Sequence, residues 1–187
     1  MKSIIVLGLV GEIASGKSTV ADFLITEFKA EAVSFSQPLR DILDILSLPQ
    51  NRENMVWLGV DLRARFGQDI LAKAVFRAAQ NSSAPIICLP NIRLAEDITV
   101  FKAVPNFYLV KIEAHSEIRY QRLCHRRENP DDQNKTWAEF LSDSQLPTEI
   151  SIREVAKSAQ FALDNNTDKP CLFDQVKKLI QTIGENT

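Results

Sequence analysis

Gly11-Glu12-Ile13-Ala14-Ser15-Gly16-Lys17-Ser18-Thr19 is the stretch that decides the fold. The patterns on its two sides differ in period. Before it, Ser3-Ile4-Ile5-Val6-Leu7-Gly8-Leu9 is an almost unbroken apolar run, as in a parallel strand covered on both faces. After it, residues 17–28 place Val20, Phe23, Leu24 and Phe28 on one side of a helix. A strand, a glycine turn and a helix in this order bring main-chain N–H groups together. Glycine at 11 and 16 admits backbone angles closed to other residues and lets the chain approach an anion. The N–H groups then line a concave nest, to which the helix start adds its positive end.

The spacing is G-x-x-x-x-G-K-[ST], the P-loop, in the strand–turn–helix context that the motif requires. The reading that follows is a nucleoside triphosphate, expected to be ATP, cradled by Gly11, Glu12, Ile13, Ala14, Ser15, Gly16, Lys17, Ser18 and Thr19. Lys17 is predicted to reach the β- and γ-phosphates, and the Ser18 hydroxyl to bind Mg2+.

The rest of the 187-residue chain alternates strand and helix. Further strands are predicted at 32–35, 85–89, 107–112 and 161–164. Helices are predicted at 38–46, 53–80 with a break near Gly59 or Gly67, 116–127, 136–142, 148–158 and 171–183. Such alternation implies an α/β fold: a five-stranded parallel sheet between two helical layers, with ligands beyond the carboxyl ends of the strands. One domain is expected over 1–187. Its core is 1–36, 85–115 and 159–187, with an acceptor-binding insertion at 37–84 and a lid at 116–147.

Composition narrows the function. Hydrophobic residues make up 45% of the chain, enough for one sizeable core. A net charge of -2 supplies no general basic field, so nucleic acid is not expected as a partner. No apolar run reaches membrane-spanning length, so no membrane partner is expected either. Cys88, Cys124 and Cys171 are scattered without metal-ligand spacing, which fits a reducing, cytoplasmic setting. His115 and His125 have no triad partners and are read as surface or structural. Trp57 and Trp137 are read as packing residues.

Positive groups must then be local. Phosphoryl transfer spreads charge over the transferring oxygens, and arginine's fixed fork of donors suits phosphate. Arg40, Arg63, Arg65 and Arg93 all follow strand ends or the helices just beyond them. Phe35, at the end of the second strand, either borders an acceptor's base or packs in the core. Arg119, Arg122 and Arg126 share one helix face at spacings of three and four, and Arg127 adjoins them. They run into a polar stretch, as in a lid that closes over its substrates. Glu12 either points to solvent or approaches the acceptor phosphate.

These features together resemble the P-loop nucleoside monophosphate kinases. The closest likeness is to the branch around deoxynucleoside monophosphate kinases, dephospho-coenzyme A kinases and archaeal adenylate-kinase-like proteins. Phe35-Ser36-Gln37-Pro38-Leu39-Arg40 is similar to their acceptor-binding segment. Leu62-Arg63 with Phe66-Gly67 resembles the next helix, and Arg126-Arg127-Glu128 with Trp137-Ala138-Glu139-Phe140 resembles the lid and the helix after it. Asp164-Asn165-Asn166 looks like the end of the last strand, which in that family borders the adenine; Asn165 would then be a nucleotide contact. The resemblance implies an adenylate-kinase-like fold. It also implies acceptor contacts from Phe35, Arg40, Arg63 and Arg93, and catalytic roles for Lys17, Arg93, Arg122, Arg126 and Arg127.

Two departures stand out. Where that family has Asp-x-Arg, this chain reads Asn91-Ile92-Arg93. After the lid it reads Ser142-Asp143-Ser144-Gln145-Leu146-Pro147-Thr148-Glu149, where only Asp143 and Glu149 are acidic. The expected activity is transfer of the γ-phosphate of ATP to a nucleoside monophosphate or a similar acceptor. Dephospho-coenzyme A is the second acceptor, and a slow ATPase or nucleotide-binding module is the alternative.

Overall fold

The computed structural model describes residues 4–125, 133 and 135–185. Five strands form one sheet: β1 (Ile5–Val10), β2 (Glu31–Ala32), β3 (Ile86–Leu89), β4 (Phe107–Glu113) and β5 (Phe161–Asp164). Their order is β2-β3-β1-β4-β5, and every pairing is parallel. The helices are α1 (Lys17–Phe28), α2 (Gln37–Ile45), α3 (Arg52–Phe66), α4 (Ile70–Asn81), α5 (Ala95–Thr99), α6 (Ser116–His125), α7 (Trp137–Asp143), α8 (Pro147–Ala156) and α9 (Lys169–Glu185). This is the expected three-layer α/β arrangement.

β1 sits at the centre, with β3 and β4 on its flanks. Its side chains alternate: Val6 and Val10 enter one core, Leu7 and Leu9 the other. Both faces are thus covered, which is why the strand reads as continuously apolar. One core is closed by α1 and α9, through Val20, Leu24, Leu172 and Val176. The other is closed by α2, α3, α4, α5 and α8, through Leu43, Leu58, Val75, Ile98 and Ile152.

Three local expectations shift, and one open alternative is resolved. The second strand shrinks from 32–35 to Glu31–Ala32. Val33 still donates to Cys88 O at 2.9 Å, but Ser34 and Ser36 then join their hydroxyls at 2.8 Å and turn the chain into α2. Of the two breaks offered within 53–80, Gly67 ends α3 at φ +101°, while Gly59 lies buried inside that helix. α5 and the 3-10 turn Phe101–Ala103 were not anticipated. Trp57 does not pack as expected, being 51% exposed. Trp137 does pack, 5.5 Å from Phe140 and 5.2 Å from Tyr120 between ring centres. Among the described residues, no helix is long and apolar enough to cross a membrane.

Candidate nucleotide site

The turn between β1 and α1 is assembled from contacts that leave few alternatives to its residue types. Gly16 precedes α1 at φ +106°, the left-handed region in which a side chain is strained. A Cβ there would lie 2.1 Å from Asn165 Nδ2. At Gly11, a Cβ would lie 2.5 Å from the carbonyl oxygen of Ile112, so β4 presses against the loop from behind. Ala14 also takes a positive φ, 59°, without being glycine. Ser15 N–H donates back to Glu12 O at 3.2 Å and closes the turn.

Lys17 lies across the loop rather than away from it. Its Nζ donates to Gly11 O at 2.7 Å and to Glu12 O at 3.1 Å. Ser18, in the first turn of α1, is exposed, and Thr19 is half-buried. Among the described residues, no three His, Cys, Asp or Glu side chains converge to hold a metal ion. A lone exposed hydroxyl such as that of Ser18 is compatible with Mg2+, which keeps several waters and takes few protein ligands.

A brace from the far side of the sheet fixes the loop. Asn165, at the end of β5 and 5% exposed, donates from Nδ2 to Ser15 O at 2.7 Å. Its own N–H donates to Glu113 O at 2.8 Å. Arg122 Nη2 then donates to Asn165 O at 2.9 Å and to its Oδ1 at 3.3 Å. Asn165, expected as a nucleotide contact, therefore spends its side chain on the P-loop main chain and on Arg122. Burial draws the Arg122 guanidinium below its ordinary pKa, and its Nη1 is buried with no partner among the described residues.

Glu12 joins two helices to the loop. Its Oε2 meets Arg119 Nη2 at 3.2 Å and its Oε1 meets Arg153 Nη1 at 3.0 Å. Arg119 is 6% exposed and uses its other donors on main chain. Nε donates to Ala114 O at 3.1 Å, Nη1 donates to Ile13 O at 3.3 Å, and the guanidinium lies 5.3 Å from the centre of the Phe140 ring. Arg153 Nη1 also donates to Ser144 O at 2.8 Å. From the same helix as Arg153, Glu149 Oε2 accepts from Ile13 N–H at 3.3 Å. A cleft of about 290 Å3 opens where Gly11, Glu12, Ser15, Arg119, Ile152 and Arg153 meet. Arg119 stood in the arginine series, but its turn inward was not foreseen, and Arg153 was missed. Nothing local in the sequence separates Arg153 from an ordinary helix charge.

The predicted acceptor residues lie on the other side of β1. Arg93 follows β3, and the Asn91 amide oxygen, turned toward it, accepts from its Nε at 3.2 Å and its Nη2 at 2.8 Å. Asp97, 5% exposed, accepts from the N–H groups of Arg93 and Leu94 at 3.0 and 2.9 Å. Burial raises the Asp97 pKa, while those two N–H groups and the charge of Arg63 oppose the rise. Arg63 and the Arg93 turn thus flank one buried carboxylate that the sequence reading did not single out. Arg63 Nη1 reaches Gly59 O at 3.5 Å, and its Nε is buried with no partner among the described residues. Arg40 and Arg65 are exposed, whereas Phe35 is buried in the core at 9% exposure. Arg126 and Arg127 lie outside the described residues.

The other tempting groups are spoken for. Burial, with Asp22 nearby, pushes the Cys88 thiol up to about 12, so it stays protonated and inert. His125 Nδ1 is 2.6 Å from Gln121 O, and His115 is exposed.

No protein-family model matches the chain. A UPF0200 protein of Methanoregula boonei is 32% identical over 130 residues, which cover 67% of this chain and 69% of the relative. A UPF0200 protein of Thermococcus kodakarensis is 26% identical over 188 residues, covering 96% and 97%. Among solved structures, shikimate kinase from Bacteroides thetaiotaomicron superposes with a TM-score of 0.63 over 96% of this chain and 98% of its own, at 13% identity. The fold is therefore that of the P-loop kinases.

Proposed function

Because this chain belongs to the UPF0200 family, a name that carries no activity, we propose its function from its site: it is an ATP-dependent small-molecule kinase. A nucleoside monophosphate or a similar nucleotide-like molecule is the acceptor we favour. The observation that carries this reading is the main-chain turn 11–16, braced by Asn165 and spanned by Lys17, at the open start of α1. Its N–H groups and Lys17 would take the triphosphate, and Ser18 would take Mg2+. The ion would neutralise charge between the β- and γ-phosphates.

Little covalent chemistry is asked of such a protein; positioning and electrostatics carry the rate. In this reading Arg122, bound to Asn165, would serve the nucleotide, and Arg93 and Arg63, on either side of Asp97, would serve the acceptor. Arg126 and Arg127 would add charge from the lid. The cytoplasm, where ATP is abundant, is the setting this reading implies.

Incubation with labelled ATP, Mg2+ and a panel of acceptors tests the proposal. The panel holds ribo- and deoxynucleoside monophosphates and dephospho-coenzyme A. Label transferred to one nucleotide acceptor is the expected result. Label released only as inorganic phosphate, at a rate no acceptor changes, would reject it.

One feature favours a second reading, a slow ATPase or nucleotide-binding module. The strand-end position that carries a carboxylate in similar kinases is Asn91, whose amide is engaged with Arg93. If that missing charge limits metal binding, Asn91→Asp raises turnover. An unchanged rate with unchanged Mg2+ affinity would show that another group does the work.

A further inference from the structure

Ile13 N–H is one of the loop's anion-facing donors, and the protein fills it from within. The acceptor is a carboxylate oxygen of Glu149 at 3.3 Å, from a residue 136 positions away. Glu149 sits in the first turn of α8, which opens after Leu146 with Pro147 as its first residue. One turn further along the same helix, Arg153 is bound to Glu12, the residue before Ile13. α8 therefore grips adjacent loop residues by one negative and one positive side chain.

The place of Ile13 gives this grip a chemical meaning. Lys17 Nζ rests on the carbonyls of Gly11 and Glu12, immediately before Ile13. In P-loops this lysine serves the β- and γ-phosphates, whereas the start of the helix serves the inner ones. Ile13 N–H thus lies at the outer, γ-phosphate end of the nest. A carboxylate there presents the same kind of oxygen as a phosphate, on the same kind of donor.

We propose that Glu149 is a specificity-determining residue: a tethered anion that holds the γ-phosphate end of the loop until a triphosphate displaces it. This inference rests on the reading of the loop as a triphosphate site. A diphosphate, which ends before Ile13, binds with Glu149 in place. A triphosphate must evict the carboxylate, because two anions cannot share one N–H group without strong repulsion. Eviction breaks one of the two ties between α8 and the loop, so α8 distinguishes ATP from ADP. Arg153, already at the loop, remains to meet the incoming charge.

The test is calorimetric titration of the full chain with ATP and with ADP, each with Mg2+, comparing wild type with Glu149→Gln and Glu149→Asp. Glutamine keeps an oxygen acceptor but loses the charge. The expected result is ATP binding at least about tenfold tighter in Glu149→Gln, the lower end of the scale of one hydrogen bond to a charged group, with ADP binding changed less than twofold. Glu149→Asp keeps the charge and is expected to return the ATP-to-ADP ratio toward that of wild type. Equal changes for the two nucleotides, or no change, would overturn the inference, since a merely structural Glu149 would move stability and not the ratio. Wild-type protein that bound neither nucleotide would overturn the triphosphate reading itself, a result distinct from either of these.

Discussion

Asn165 Nδ2 stands where a side chain on Gly16 would have to go, and uses that position to hold Ser15 O at 2.7 Å. The end of the last strand thus shapes the turn after the first. Gly16→Ala meets two penalties at once, a left-handed backbone and a Cβ 2.1 Å from that amide nitrogen. A loss of about 1–3 kcal/mol is expected from the strained backbone alone. Thermal melts should show it, and calorimetry should show ATP binding lost. Asn165→Ala frees Ser15 O and removes the longer of Arg122's two bonds to this residue, leaving the one to the main-chain oxygen, and is expected to weaken nucleotide binding although Asn165 need not touch the ligand. Unchanged binding in Asn165→Ala would show that the brace is dispensable.

Arg119 offers a separate test of how the loop is anchored. Its guanidinium is almost wholly buried and satisfied by Glu12, Ile13 O and Ala114 O. Arg119→Ala leaves Glu12 with Arg153 alone and two carbonyls short of a donor. A cost of about 3 kcal/mol is expected, as for breaking a buried pair. Arg119→Lys should rescue little of it, because a point charge cannot serve three directions at fixed angles. Chemical denaturation of the three proteins measures both effects.

Lys17 should behave in the opposite way. It is half-buried, contacts loop carbonyls and belongs to neither core. Lys17→Ala is expected to lower phosphoryl transfer at least about 100-fold, the scale set by removing one preorganised donor. The melting temperature should hardly move. A large loss of stability would mean that the lysine is structural.

The sequence exposed some of this and hid the rest for physical reasons. β1, the P-loop and α1 were legible because each has a strong local period and the motif needs all three in order. β3 and β4 followed, as β1 did, from apolar runs buried along most of their length. The pairing of Glu12 with Arg119 and Arg153 was not legible, since their partners lie 107 and 141 positions along the chain (119 − 12 and 153 − 12). Short elements escaped as well. α5 has five residues, too few to show a helical period, and its end at Thr99 passes directly into the 3-10 turn. Ala32–Phe35 looked like a strand because Val33 and Phe35 alternate. They do enter the core, but across a serine turn rather than along a strand.

Asp97 predicts a dependence of stability on pH. Its pKa is raised above the usual 3.8, first by burial. The folded state therefore binds this proton more tightly than the unfolded chain does. Stability from this group is fully present below pH 3.8 and is lost as pH rises through the raised folded value. Asp97→Asn keeps an oxygen for the N–H groups of Arg93 and Leu94 but has nothing to titrate. The gain of the variant over wild type should grow as pH rises through that window and then level off. Denaturation across a pH series measures it, and a constant difference would mean that Asp97 titrates as it does in the unfolded chain.

The sheet's margins carry a consequence for how copies of this protein meet. β2, at one rim, is only two residues long, and one of them is the charged Glu31, while β5 at the other rim has four. Strand-by-strand growth from molecule to molecule needs a long, flat row of vacant main-chain donors and acceptors. These rims offer too little of one, so the sheet is poorly suited to seed fibrils or swapped strands.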